Sequence, residues 1–494
     1  MNSIFTHRDA DWRIGRIVYQ VFVDRFFSSP SKKNQFYSSP KQRKAWDTLP
    51  TRGKKHPTLP HYTHELDFWG GDLPGLTQKL SYLKDLGIQT LYLTPIFEAF
   101  TNHKYDTISY TTISPDFGTM EDFKALLKKT NDMNIPVILD GVFNHMSYHS
   151  PFFQDALNNP TSPYRDWFVF GDHYRYPYRA WHNVASLPEL NLTNKSVREY
   201  LWKEVVQYYL RLGISGWRLD TAIELGFNYL QELHEAAKAV KEDVAIVGEI
   251  NHYPKDWVKV IPGTIQLPLR DWLIQTALGS IPASLAQQQL VRYIEDTGME
   301  AMLASWILLE NHDTSRVKHD IKNEQAYTFV KWLSITLPGN LHLYQGEEFG
   351  LSGGNDPSNR EPYPWHLVGT PHPIFDLHQQ LIRLRATQRA LRIGDFVSIP
   401  STSLISFLRI TNVHEETRII LANPSKKTVT EWIMIPDSYL PSHRGYKDLI
   451  SGSIITESWG TYLNITVPPQ TVYILEPQLE PVDGYNPTKY FTHD

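Results

Sequence analysis

Cysteine is absent from the 494 residues, which excludes a disulfide framework, a thiolate metal site and a cysteine nucleophile. An excess of one charge is lacking too: 48 basic against 53 acidic residues leave a formal −5, so nothing calls for a polyanionic partner such as nucleic acid. No window is apolar enough for a membrane span, and the first residues, Met1 to Asp11, lack the hydrophobic core of a signal peptide. A cytoplasmic protein without a membrane partner is the expectation. Dinucleotide and P-loop fingerprints are missing as well, because Gly70-Gly71-Asp72 has neither spacing. The length allows a sizeable core and more than one domain.

The chain is organised around Gly213-Ile214-Ser215-Gly216-Trp217-Arg218-Leu219-Asp220. Before it, Val197, Leu201, Val205, Tyr208, Tyr209 and Leu212 recur on one face of a helix, and Gly213 ends that helix. A short strand then starts near Ser215, which puts Arg218 and Asp220, two residues apart, on the same side of the strand's C-terminal end. The arginine is expected to lower the pKa of Asp220, as a carboxylate nucleophile requires. A buried structural ion pair is the alternative. A second helix follows, with Phe227, Leu230, Leu233, Ala237 and Val240 inward, and then the strand Val244 to Glu249. Two consecutive units ending in acids predict adjacent parallel strands with both carboxyls on one rim. A pair about 5 Å apart is what a retaining glycosidase uses.

Further strands are expected at Arg16–Phe22, Thr90–Thr94, Ile135–Asp140, Thr264–Leu267, Trp306–Asp313 and Leu341–Tyr344. Eight strands interleaved with helices predict an α/β fold, a closed (β/α)8 TIM barrel with its chemistry at the strands' C-terminal ends. The barrel is assigned to residues 1–144 and 196–394. Residues 145–195 interrupt it with Phe152, Phe153, Trp167, Phe168, Tyr174, Tyr176, Tyr178 and Trp181, too long a loop unless it forms a small inserted domain or lid. Residues 28–66, with Lys41, Arg43, Lys44, Lys54 and Lys55, read as a solvated loop. From 395 to 494 short alternating stretches predict a C-terminal all-β sandwich, with no periodicity after Pro477.

Four segments together resemble the alpha-amylase superfamily, glycoside hydrolase family 13: Asp140-Gly141-Val142-Phe143-Asn144-His145, Gly216 to Asp220, Gly248-Glu249 and Asn311-His312-Asp313. The resemblance covers essentially the whole chain, with 145–195 as the family's domain B and the β-rich end as its domain C. It implies Asp220 as nucleophile, Glu249 as acid/base and Asp313 as the third carboxylate that binds sugar hydroxyls. It also implies that Arg218 supports Asp220, that His145 and His312 bond the sugar in the cleavage subsite, and that Asp140 orients the network. Tyr105 would stack beneath the sugar, with His103 beside it. Desolvation and repulsion by Asp220 are expected to raise the pKa of Glu249.

Within that superfamily, Phe68 to Leu73, Asn102 to Thr107 and Gly353 to Pro357 with Arg360, Pro364 and Trp365 are similar to cyclomaltodextrinases, neopullulanases and maltogenic amylases. That similarity implies contacts from Asp356 and Arg360 to the next glucose on the non-reducing side. It implies hydrolysis of α-1,4 bonds in maltooligosaccharides, cyclodextrins or starch. Transglycosylation, α-1,6 cleavage and a catalytically silent glucan-binding protein are the alternatives. The chain begins almost directly with the barrel, where the subgroup usually carries an N-terminal β domain, so dimerisation is not carried over and the oligomeric state stays open. Asn251 replaces a usual tryptophan, and Leu187-Pro188-Glu189-Leu190-Asn191 matches neither common form of a domain B motif. No cofactor is implied. Structural calcium is doubtful: Asn144 matches a ligand of many amylases, but Glu224 replaces a ligand histidine and Lys32 and Lys33 oppose a hard cation.

Overall fold

A computed structural model describes residues 2–30, 37–437, 445–459 and 461–478. Eight parallel strands close into a barrel: Ile17–Val21 (β1), Thr90–Leu93 (β2), Val137–Gly141 (β3), Gly216–Leu219 (β4), Ala245–Ile250 (β5), Gly263–Gln266 (β6), Trp306–Ile307 (β7) and Asn340–Tyr344 (β8). Their residues are almost all buried, as strands covered on both faces require. Along β1, Ile17, Tyr19 and Val21 join the core under the helices, while Val18 joins Ile138, Val247, Ile265 and Trp306 inside the barrel. Gln20 is wholly buried, two residues beyond Val18 on the same face.

The crossovers form where their ends are satisfied. In the helix Leu73–Leu86, Asp72 accepts from the Gly75 amide and Gly87 closes the last turn at φ 96°. Thr119 and Asp122 form a reciprocal capping box on Met120–Asp132. The helix before β4 departs from the expected stripe. Its middle, Tyr200–Gln207, widens into π-helix, which rotates the buried face, so Val206 is buried and Tyr208 is 38% exposed. Phe227, expected inward, is 44% exposed and stacks on Trp257 with ring centroids 4.2 Å apart. Between β5 and β6 stands only the 3₁₀ turn Trp257–Lys259.

The seventh strand is shorter than its apolar run. Beyond Ile307 the chain bends, and Asn311 Oδ1 accepts from the amides of Asp313 and Thr314, both at 2.9 Å. This side-chain turn diverts the backbone from the ladder. Residues 145–195 fold around Phe153, whose ring meets Phe168 at 4.9 Å and Tyr178 at 4.7 Å. Several basic residues of the 37–66 loop are partnered: Lys41 lies 3.1 Å from Asp116 and Lys44 3.0 Å from Asp67.

The C-terminal strands are Asp395–Ser398 (β9), Ile405–Ile410 (β10), Arg418–Asn423 (β11), Val429–Met434 (β12), Gly445–Asp448 (β13), Ile454–Trp459 (β14), Tyr462–Val467 (β15) and Thr471–Pro477 (β16). They form an antiparallel sheet in the order β9-β10-β11-β16-β13-β14-β15-β12. Alternation sends Phe407, Ile420 and Ile474 onto the barrel's helical layer. Leu408, Ile419 and Leu475 face the other way and share a second core with Ile433, Leu463 and Ile465, so the sheet closes over itself. The region after Gln478 lies outside the described residues. A helix unforeseen from periodicity, Asn2–Ala10, places Arg8 between Glu300 and Asp395, tying the start of the chain to both barrel and β domain.

Candidate active site

Register sets the site. Asp140 on β3 pairs with Arg218 on β4, and Arg218 with Val247 on β5, so the tips of three neighbouring strands converge. Arg218 is fully buried. Its Nη1 donates to Asp140 at 2.8 and 3.0 Å and to Asp220 Oδ1 at 3.0 Å, while its Nη2 lies 2.9 Å from Glu249 Oε2. One guanidinium thus holds Asp220 and Glu249 side by side. Asp140 also accepts from the hydroxyls of Tyr92 at 2.6 Å and Tyr105 at 2.8 Å, which fixes the arginine's counter-ion in place.

Arg218 acts on Asp220 in the expected direction but is outweighed, so the net shift is upward. Burial pushes the Asp220 carboxyl well above the ordinary carboxylate range, Arg218 opposes this, and Glu249, Asp140 and Asp313 add to it. One guanidinium faces three carboxyls here, and its attraction is outweighed at Asp220 by burial and by the neighbouring acids. Glu249 also accepts from the backbone amide of Thr221 at 3.0 Å. Thr221 reaches it from a left-handed conformation, φ 42°, which is strained for a β-branched residue.

Across the cleft, Asp313 Oδ2 lies 2.9 Å from His312 Nε2 and its Oδ1 accepts from Arg360 Nη2 at 3.1 Å. Burial works against its ionisation, but His312 and Arg360 outweigh burial and lower its pKa. Arg360 extends the line: its Nη1 lies 2.7 Å from Asp356, whose pKa falls to about 2 because Arg360 and His64 overcome burial. The Tyr105 and His312 rings are parallel within 1°, 5.2 Å apart, and His103 stacks beside Tyr105 at 5.9 Å. The pKa of His103 is lowered by burial, against Glu65 and Asp106. Burial also takes His145 down to about 4, and its Nε2 sits 3.1 Å from the Tyr105 carbonyl. Trp181, from the inserted segment, approaches His145 with ring centroids 5.6 Å apart.

All eleven residues singled out from the sequence therefore meet in one connected cluster. Sequence reasoning passed over Gln20, Tyr92, Thr221 and Asn359. A signal existed for two of them, since Gln20 and Tyr92 are polar groups inside otherwise apolar strand runs. At the calcium-type positions, Asn144 Nδ2 faces His145 at 3.4 Å and Glu224 lies 3.9 Å from His182. Among the described residues no group of three or more His, Asp or Glu side chains is placed to hold a metal ion. Among them, too, no helix is long and apolar enough to cross a membrane.

Residues 20–369 match the family described as alpha amylase, catalytic domain. The chain is 36% identical over 372 residues to a cyclomaltodextrinase of Geobacillus thermopakistaniensis (strain MAS1), covering 73% of this chain but 63% of that protein, less than two thirds of its length. It is 30% identical over 488 residues to neopullulanase 2 of Thermoactinomyces vulgaris, covering 96% of this chain and 79% of the relative. Among solved structures, the cyclic alpha-maltosyl-(1→6)-maltose hydrolase from Arthrobacter globiformis, in complex with cyclic alpha-maltosyl-(1→6)-maltose, superposes with a TM-score of 0.79 at 28% identity. That match covers 94% of this chain and 99% of the other. A closed barrel, four acids gathered at its C-terminal rim and a family match over residues 20–369 lead to one assignment: the chain belongs to the alpha-amylase family.

Proposed function

We propose that this protein is a retaining hydrolase of α-1,4-glucosidic bonds in maltooligosaccharides and small cyclic α-glucans. The observation that carries this is Arg218 holding the carboxyls of Asp220 and Glu249 beside each other, with Asp313 anchored opposite. Asp220 attacks the anomeric carbon, and a covalent glycosyl ester forms as the glycosidic bond breaks. Glu249 gives its proton to the departing oxygen, then takes one from the water that cleaves the ester. Arg218, 3.0 Å from Asp220, supports the ionised carboxylate that makes the attack.

Asp313 and Arg360 would bind ring hydroxyls, His145 and His312 the hydroxyls nearest the bond, and Tyr105 the apolar face of the sugar. Asp356 and Arg360 reach one glucose further. Cyclic and short glucans are supported by what the relatives are named for: a cyclomaltodextrinase, a neopullulanase and a hydrolase of cyclic alpha-maltosyl-(1→6)-maltose. The cleft residues take every role without a cofactor or metal in the reacting step.

The test is incubation with cyclodextrin, cyclic maltosyl-maltose, maltotriose, pullulan and starch, with products separated and the new anomer followed by NMR. Cyclic or linear maltosides should yield α-configured products. Glu249→Gln and Asp220→Asn should each lower kcat by about 10⁴-fold or more, the scale of losing an acid/base or nucleophile. Products of β-configuration, or natural glucans turned over at the wild-type rate by either variant, would overturn the assignment.

A further inference from the structure

We propose that Gln20 is a positioning residue for His312: from inside the barrel its carboxamide bonds the Nδ1 of that ring and so keeps the proton on Nε2, facing Asp313 and the cleft. This rests on the hydrolytic reading above. Gln20 lies on β1, wholly buried, with its Nε2 2.6 Å from His312 Nδ1. A carboxamide in an apolar strand is costly to desolvate unless it is bonded. Its Oε1 has no hydrogen-bond partner among the described residues, so the contact with His312 is what holds the amide in place.

The rest of His312 is already fixed. Its ring stacks on Tyr105 and tilts against Phe22, with ring centroids 6.3 Å apart for the latter. Its carbonyl accepts from Asn359 Nδ2 at 2.8 Å and Arg360 Nε at 2.9 Å. What remains is which nitrogen carries the proton, and an amide NH₂ only donates, so Nδ1 must accept. The directions then agree along a whole chain. Gln20 donates to Nδ1, and Nε2–H faces both the Tyr105 hydroxyl oxygen at 2.5 Å and Asp313 Oδ2 at 2.9 Å. The Tyr105 hydroxyl keeps its own hydrogen for Asp140. In the other tautomer the carboxamide would have to turn over to meet Nδ1–H, and a bare Nε2 lone pair would face both the Asp313 carboxylate and the Tyr105 oxygen. Gln20 therefore links the first barrel strand, through His312, to Asp313.

The experiment is nitrogen-15 NMR of histidine-labelled full-length enzyme near neutral pH, with His312 assigned by its loss in His312→Gln. It is joined to kinetics and thermal unfolding of Gln20→Leu and Gln20→Glu. The expected wild-type result is an unprotonated Nδ1 and a protonated Nε2. Gln20→Leu should give a mixture of tautomers and about a tenfold to hundredfold lower kcat/KM, as loss of one buried bond allows. Gln20→Glu, which only accepts, should place a proton on Nδ1. A wild-type His312 protonated on Nδ1 overturns the proposal without any variant. So does Gln20→Leu with wild-type kcat/KM, or with reduced kcat/KM and an unchanged tautomer. A wild type that cleaves no α-glucan sinks the hydrolytic reading instead, and the NMR result still decides the role of Gln20.

Discussion

Burial lowers the imidazoles of His145 and His342 from an ordinary 6.5 to about 4 each. An unfolded chain takes up both protons as pH falls through 6.5, whereas the folded protein takes them only near 4. The unfolded state binds more protons across that window, so stability falls as pH drops from about 6.5 to about 4. The lowered carboxyl of Asp356 continues the loss below its ordinary 3.8 toward 2. The raised Asp220 carboxyl has the opposite sign and offsets part of this loss. The thermal midpoints of Asp220→Asn, measured from pH 7 to 3, should therefore decline most steeply within the upper window; a flat midpoint there in that variant would contradict neutral buried imidazoles. The same reasoning explains why Asp220 was misjudged from sequence. Arg218 is two residues away in the sequence, but burial, and then Glu249, Asp140 and Asp313, which push the other way, arrive only through folding.

Strands β4 and β5 carry Arg218, Asp220 and Glu249 as one rigid pair, and Gly216 lets them close. A Cβ added at Gly216 would stand 2.2 Å from the Ala245 carbonyl oxygen, a backbone atom that cannot swing away. Gly216→Ala should cost about 1–3 kcal/mol by overpacking and lower kcat more than it raises KM, since it displaces the two reacting carboxyls relative to each other. Denaturant titration with steady-state kinetics checks both, and a fully active, equally stable variant would show that β4 and β5 tolerate separation. Most strands were legible because each is a short apolar run ending in a polar tip. The π-turn at Tyr200–Gln207 was not, because it obeys the same apolar composition and changes only the rotation of the face. Nor was the early end of β7, set by the side-chain turn of Asn311 against an apolar run that continues to Leu309.

Beside the ion pair of Arg8 with Asp395, barrel and β domain are joined by a buried arginine that bonds backbone carbonyls. Arg409 on β10 is fully buried and donates to the carbonyls of Thr336 and Gly394, both at 2.8 Å. On the barrel side of that seam Arg385 donates to Ile335 and Leu337 at the end of the same helix, Glu324–Thr336, where carbonyls lack partners and a cation suits the dipole. Arg409→Met should cost about 1–3 kcal/mol for each carbonyl left unpaired. Urea unfolding measures it, and a change below about 0.5 kcal/mol, the size of an ordinary surface substitution, would deny the seam that role.

The amino-acid order by itself determined where the barrel strands lie, that acids sit at their tips, and which four segments carry the family likeness. These are local properties, written in periodicity and in residue type. Only the tertiary structure decided the charge state of the cleft, the partner of each imidazole nitrogen and the seam between domains. Those depend on electrostatics and hydrogen bonds between side chains hundreds of residues apart, such as Gln20 and His312, and no local pattern encodes which distant group will stand at the other end.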